Sequence, residues 1–150
     1  MTDLQQHHRA AGSLRSLVAQ EVIDTIPALK DDLTTQPLGA EATLDFLQRL
    51  AQGDTPEEAL TFAAHCLTPR HSVWWAHECL QARSDLLGAA DRAMLALAAT
   101  WVAQMNEESR YAAMDQAAAA ERGPGAWVAL AASAKAMPRA VCAWLTAHRP

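Results

Sequence analysis

The chain has 150 residues, of which 51% are apolar, so it can bury a hydrophobic core without disulfide or metal support. Its net charge of −5 lacks the basic surplus that nucleic-acid phosphates require, and three cysteines do not make a disulfide framework. Alanine accounts for 34 residues, whereas Phe and Tyr together account for three, which favours closely packed helices over a sheet. We therefore expect an all-α fold.

The N-terminal part combines a polar start, a helical stripe and a long connection. Residues 1–11 are polar and predict a flexible tail ahead of a single helical domain over residues 12–150. From Ser13 onward, apolar residues recur at helical spacing and predict a helix; they are Leu14, Leu17, Val18, Val22 and Ile26. Residues 27–39, with two prolines and a glycine, end this helix and predict a hinge.

Two Thr-Pro pairs then mark helix starts. A helix at about 40–52 comes before them, with Leu44, Leu47 and Leu50 expected to point inward, and Gly53 is expected to end it in the left-handed conformation. Thr55-Pro56 predicts the start of the next helix, with Glu57 and Glu58 as first-turn acids. Thr68-Pro69 repeats the signal 13 residues later, which predicts a sharp corner between two helices.

The C-terminal half predicts further short helices. The helix at about 90–105 is apolar around most of its circumference, which predicts a central, buried position. Asn106 is the expected N-cap of the next helix, which carries Tyr111, Met114 and Ala118 on one face. Two last helices are expected at about 125–135 and 138–148. The total is about seven or eight helices, arranged as a bundle or a short stack of helical hairpins.

The most unusual local feature is the tryptophan pair Trp74-Trp75, one turn into the helix that follows Thr68-Pro69. Adjacent helical residues are about 100° apart, so we expect one indole in the core and the other partly exposed. Arg70, four residues before Trp74, is placed to stack on an indole. The pair either locks a helix corner or anchors a partner, and the candidate partner-binding residues are Arg70, His71, Trp74, Trp75 and Glu78.

Histidines and cysteines cluster around this pair, at His65, Cys66, His71, His77 and Cys79. Their spacing contains neither Cys-x-x-Cys nor two histidines at i, i+4, so it predicts no metal site, and we expect no cofactor. The sequence also shows no Gly-rich phosphate loop and no activated nucleophile, so it does not predict an enzyme. An enzyme or metal-binding protein that uses the His65–Cys79 cluster is kept as one alternative.

The same region carries a longer phrase, Phe-x-Ala-His-x-Leu followed by Pro-Arg and Val-Trp-Trp-Ala. Its positions here are Phe62, Ala64-His65, Leu67, Pro69-Arg70 and Val73-Trp74-Trp75-Ala76. This phrase resembles one in an uncharacterised family of all-helical bacterial proteins, and weaker similarity extends the resemblance over about residues 55–130. Members of that family lie near type VI secretion gene clusters. The resemblance therefore implies an accessory or adaptor role, and it implies no catalytic or binding residues.

We therefore expect a non-enzymatic interaction module whose partner is another protein, either a secretion component, an effector or a toxin. The first 75 residues carry ten acidic against five basic side chains, so an immunity protein that neutralises a basic toxin is the other alternative. No secretory signal is visible and the apolar stretches are too short to span a bilayer, which predicts a cytoplasmic protein without membrane insertion. Homo-oligomerisation is left open.

Overall fold

The computed structural model describes residues 12–134 and 139–148, and every regular secondary-structure element in these ranges is helical. This confirms the expected all-α class. The described residues form nine α-helices, which divide into two compact units, one that ends at Thr68 and one that begins at Pro69. The predicted tail over residues 1–11 and the predicted start of the last helix at 138 lie outside the described residues.

The first unit is organised around its last helix. Its four helices are α1 (Ala19–Thr25), α2 (Leu29–Asp32), α3 (Thr43–Gln52) and α4 (Glu57–Cys66). Helix α4 packs against the other three. Phe46 of α3 and Phe62 of α4 are fully buried and meet edge to face, with ring centroids 4.9 Å apart. This arrangement suits the ring quadrupoles and fixes how α3 lies on α4.

The first helix begins at Ala19, so the prediction of a helix from Ser13 is wrong. Residues 13–18 are irregular, with isolated antiparallel bridges at Leu14 and Val18, because their backbone groups pair with two other segments of the unit. The amide of Arg15 donates to the carbonyl of Cys66 at 2.8 Å, and the carbonyl of Leu17 accepts from the amide of Thr43 at 2.9 Å. Long-range backbone pairing therefore replaces the helical hydrogen bonds that the apolar spacing predicted.

Helix α3 also departs from expectation. Leu50 is buried as predicted, but Leu44 is exposed, and the core face is completed by Phe46. Gly53 follows the helix, yet its φ of −83° is extended and not left-handed. The helix therefore ends without a left-handed cap, and the chain leads directly into the start of α4.

The connection at 27–39 contains the one-turn helix α2 and two buried leucines, Leu29 and Leu33. The carboxylate of Glu58 accepts hydrogen bonds from the Thr34 amide at 3.1 Å, from the Thr34 hydroxyl and from the Thr35 amide at 3.2 Å. Glu58, which the sequence indicates only as a first-turn acid, thus holds the far end of this connection. The hinge at 27–39 and the single domain over 12–150 stay predictions.

Burial alone would raise the pKa of Glu58, but its hydrogen bonds from the Thr34 hydroxyl and from the Thr34 and Thr35 amides outweigh burial. The pKa therefore lies below the ordinary carboxyl value. Because the folded pKa is lower than the unfolded one, the carboxylate stabilises the fold above its unfolded pKa. That contribution is lost as the pH falls through the folded pKa.

The second unit contains five α-helices, and a 3-10 turn (Ser84–Leu86) follows the first of them. They are α5 (Pro69–Gln81), α6 (Ala89–Gln104), α7 (Glu107–Ala119), α8 (Pro124–Ala134) and α9 (Arg139–Ala147). Helix α8 packs against the other four, and α6 packs against α5, α7 and α8. The predicted central place of α6 is confirmed, but its burial on all sides is wrong, because Arg92, Ala96 and Thr100 are exposed.

Helix α8 approaches α6 almost backbone to backbone at Gly125. A Cβ atom built there would lie 2.3 Å from the Asp91 carbonyl oxygen and 2.7 Å from its Cα. The Asp91 carboxylate also accepts from the Gly125 amide at 3.0 Å, so it caps the start of α8. Ala126 and Ala129 of α8 continue this close packing in a buried cluster that includes Met94 of α6.

The corner between α6 and α7 follows the predicted capping chemistry. The side-chain oxygen of Asn106 accepts from the Ser109 amide at 2.8 Å, which confirms Asn106 as the N-cap of α7. Met105, just before it, ends α6 in the left-handed conformation with a φ of 52°. This conformation costs a side chain about 1 kcal/mol relative to glycine, so the corner is held against a local preference.

Replacing Glu58 with Gln should lower the free energy of unfolding by about 2 kcal/mol at pH 7. The charge-assisted bonds are lost, and the new amide group faces backbone N–H groups that are themselves donors. Urea unfolding at several pH values measures the effect. The gap from wild type should be constant between about pH 6 and 8 and should shrink below about pH 4.

Asp45→Asn is the matched control, since Asp45 is an exposed first-turn acid of α3. It should cost only a few tenths of a kcal/mol. An equal loss in the two variants would show that Glu58 acts through the helix dipole and not through the connection that it binds.

Replacing Gly125 with Ala should lower the free energy of unfolding by about 3 kcal/mol, because the added methyl group meets the α6 backbone, which cannot move aside cheaply. Thermal unfolding followed by circular dichroism measures it. Gly88→Ala is the control, since its nearest neighbour, an Asp91 carboxylate oxygen, is 4.0 Å away. Similar losses in both variants would contradict the close contact between α6 and α8.

Candidate partner-binding groove

The tryptophan pair lies on α5, whose buried side is formed by other residues. Val73, Ala76 and Leu80 of α5 lie in the core, and the helical turn places the indoles beside that stripe. Trp74 is 43% exposed, which agrees with the expectation of one exposed indole. Trp75 is half-buried, so the expectation that the second indole would be a core residue is wrong. The core positions are already filled by smaller side chains.

An open groove of about 370 Å³ lies between α5 and the C-terminal half of α6. Its residues from α5 are Arg70, His71 and Trp74, and its residues from α6 are Ala99, Val102 and Ala103. The α6 side is apolar and made of smaller side chains, so Trp74 is the largest side chain that lines the groove. None of the six lining residues is acidic.

Arg70 joins the two sides of this groove. Its Nε atom donates to the carbonyl oxygen of Val102 at 3.0 Å. Val102 lies in the last turn of α6, where carbonyl groups have no partner within the helix, so Arg70 caps this helix and its charge is favourable at the negative end of the helix dipole. The expected stacking of Arg70 on an indole is wrong, because its guanidinium group is held at the helix end instead.

The ring that contacts Trp74 is His77, one turn further along α5. The two rings are stacked, with centroids 4.9 Å apart and an angle of 11° between their planes. His77 is buried, and its Nδ1 atom lies 3.0 Å from a carboxylate oxygen of Glu78. Because an ionised carboxylate only accepts hydrogen bonds, Nδ1 is the donor. The exposed indole is therefore packed on one face against a buried ring that is itself hydrogen-bonded to Glu78.

The structure thus brings together three of the five predicted partner-binding residues, Arg70, His71 and Trp74. Trp75 and Glu78 do not line the groove, and their place in a partner surface stays a prediction. The α6 lining was missed at the level of sequence. Its signal is the spacing of Ala99, Val102 and Ala103, which lie three and four residues apart on one helical face.

The His65–Cys79 cluster does not form a metal-binding group. Within the residues that the structure describes, no three His, Cys, Asp or Glu side chains are placed to hold a metal ion. Burial raises the pKa of the Cys66 thiol to about 12. It also raises the pKa of Cys79, with a smaller contribution from the nearby Glu78 carboxylate. Both thiols are therefore protonated at neutral pH, the opposite of an activated nucleophile.

These features define an all-α protein with an open, largely apolar groove that has an arginine at its edge. The chain belongs to the DUF6931 family, a family of unknown function whose model matches residues 46–144. The matched range contains all six residues that line the groove. Comparison with curated proteins and with solved structures gives no match. No helix in the described part of the chain has the length and apolar character to cross a membrane.

Cys66 should react with iodoacetamide much more slowly than a free thiol at pH 8, because its thiolate is scarce and its side chain is buried. Mass spectrometry of timed samples measures the modification at each cysteine. The same protein unfolded in guanidinium chloride is the control and should react fully. Rapid modification of native Cys66 would contradict the raised pKa. It would support the alternative of an enzyme that uses the His65–Cys79 cluster.

Proposed function

We propose that this protein is a non-enzymatic interaction module and that the groove between α5 and α6 binds a side chain of another protein. The observation that supports this most is Trp74, which is 43% exposed although it faces an apolar groove. Tryptophan and arginine contribute most of the binding energy where they occur in protein interfaces. An exposed indole lowers the solubility of the free protein. Its presence in the groove is explained if a partner covers it.

The rigidity of the site supports the same function. The stacking on His77 and the hydrogen bond from Arg70 to the α6 carbonyl orient the two largest groove residues before any partner arrives. Binding then loses little side-chain entropy, which is a large cost in the formation of interfaces. The groove volume of about 370 Å³ suits one large apolar side chain of a partner.

The role that we propose for this module is that of a cytoplasmic accessory or adaptor protein linked to type VI secretion. Support for the secretion link is the resemblance of the Pro-Arg and Val-Trp-Trp-Ala phrase to proteins near such gene clusters. That phrase occupies α5, the helix that supplies Arg70 and Trp74 to the groove. The partner is then a secretion component or an effector.

Replacing Trp74 with Ala should weaken binding of the partner at least tenfold, because a buried indole at an interface contributes about 2 kcal/mol or more. Partners are captured with tagged protein in a secretion-competent bacterium, identified by mass spectrometry and titrated against the purified variants. The melting temperature of the variant should change little, since Trp74 lies outside the core.

Tyr111→Ala is the matched control, because Tyr111 is an aromatic residue of the same unit, is 49% exposed and lies outside the groove. It should leave binding unchanged. Equal affinity of wild type and the Trp74 variant would contradict the role of the groove. Capture of a toxin, with rescue of growth when this protein is co-expressed with it, would replace the adaptor role with that of an immunity protein.

A further inference from the structure

We propose that the groove selects a peptide segment of its partner in which a large apolar side chain and an acidic one lie two residues apart. This proposal rests on the function proposed above and adds the chemistry of the partner. Trp74 and the small residues of α6 would contact the apolar side chain. Arg70 would bind the carboxylate.

The unused donors of Arg70 are the first argument. A guanidinium group carries five N–H donors, and Arg70 uses Nε for the carbonyl of Val102. No carboxylate among the described residues pairs with Arg70, whereas Arg110 is paired with Glu107 and Arg83 with Asp85. The two terminal nitrogens of Arg70 remain for a ligand, and their geometry matches the two oxygens of a carboxylate.

The surroundings of Arg70 are the second argument. The lining residues include no acid, so a carboxylate that enters the groove meets no like charge there. The neighbouring surfaces of Trp74, Val102 and Ala103 are apolar and exclude water when a peptide covers them. An ion pair formed beside such surfaces is stronger than one in open solvent, because the effective dielectric constant is lower.

The spacing on α5 gives the spacing in the ligand. Arg70 and Trp74 lie one helical turn apart, so their Cβ atoms are separated by about 6 Å. Residues i and i+2 of an extended peptide point the same way and are about 6.6 Å apart. A segment with an apolar and an acidic residue two positions apart therefore places a carboxylate at Arg70 while its apolar side chain lies against Trp74.

The test uses fluorescein-labelled peptides of about ten residues with Leu or Phe at one position. In separate peptides, Asp, Glu, Asn, Gln or Lys occupies the position two residues later or two residues earlier, and all other positions are Gly or Ser. Fluorescence anisotropy gives the Kd of each peptide for the full chain. We expect acidic peptides to bind about tenfold more tightly than their amide counterparts, since a charge-assisted pair contributes that much.

Three variants assign the preference to its residues. Arg70→Gln keeps a donor but removes the charge, so it should bind acidic and amide peptides equally. Arg70→Lys keeps the charge but lacks the two parallel N–H donors of the guanidinium group, so it should retain part of the preference for acidic peptides. Trp74→Ala should weaken all peptides alike. The preference of wild type should also fall between about 50 and 500 mM salt, a measurement that needs no variant.

Each outcome has a separate meaning. Binding of acidic and amide peptides with equal affinity, or tighter binding of the Lys peptides, overturns this inference and leaves the proposed binding function standing. If no peptide binds but binding of a captured partner protein still depends on Trp74, the claim that the ligand is a short peptide segment is overturned. The proposed binding function then stands. A preference for acidic peptides that persists in a folded Arg70→Gln protein assigns recognition to another residue and overturns the role of Arg70.

Discussion

The close contact between the start of α8 and the start of α6 determines the geometry of the second unit. Gly125 has no side chain, so the α8 backbone can lie directly on the backbone at Asp91, and the carboxylate of Asp91 caps the helix that it touches. Buried alanines extend that contact and keep the two helices near each other. Since α6 is held in this way, its C-terminal turn is available to form one side of the groove with α5.

Polar and charged side chains play the corresponding role in the first unit. Glu58 binds the backbone at Thr34 and Thr35, and Arg49 binds Glu41 through two hydrogen bonds of 2.9 and 2.7 Å. Both carboxylates have a lowered pKa, that of Glu41 mainly because of its hydrogen bond with Arg49. These bonds pair backbone and charged groups of the segment between α2 and α3, so that segment is held in place without regular structure of its own.

Prediction from sequence succeeded where the signal was local and failed where the deciding contact was distant. The Pro69 helix start and the Asn106 cap depend on neighbouring residues, and both appear as expected. Leu14 and Leu17 have helical spacing, but their segment pairs with backbone far along the chain, a contact that periodicity cannot show. In α7, the face that carries Tyr111 is not the buried one. Ala113 and Ala117 form the buried face, whereas Tyr111 is exposed.

The candidate site shows the same division. The sequence indicated Arg70, His71 and Trp74 through spacing on one helix, but it could not show the α6 side of the groove, which depends on tertiary packing. It also could not show that Arg70 caps α6. Capping α6 engages the Nε atom of the guanidinium group and places this side chain along the groove. If the groove binds the segment proposed above, the contact that caps α6 also orients the arginine beforehand and lowers the entropic cost of that binding.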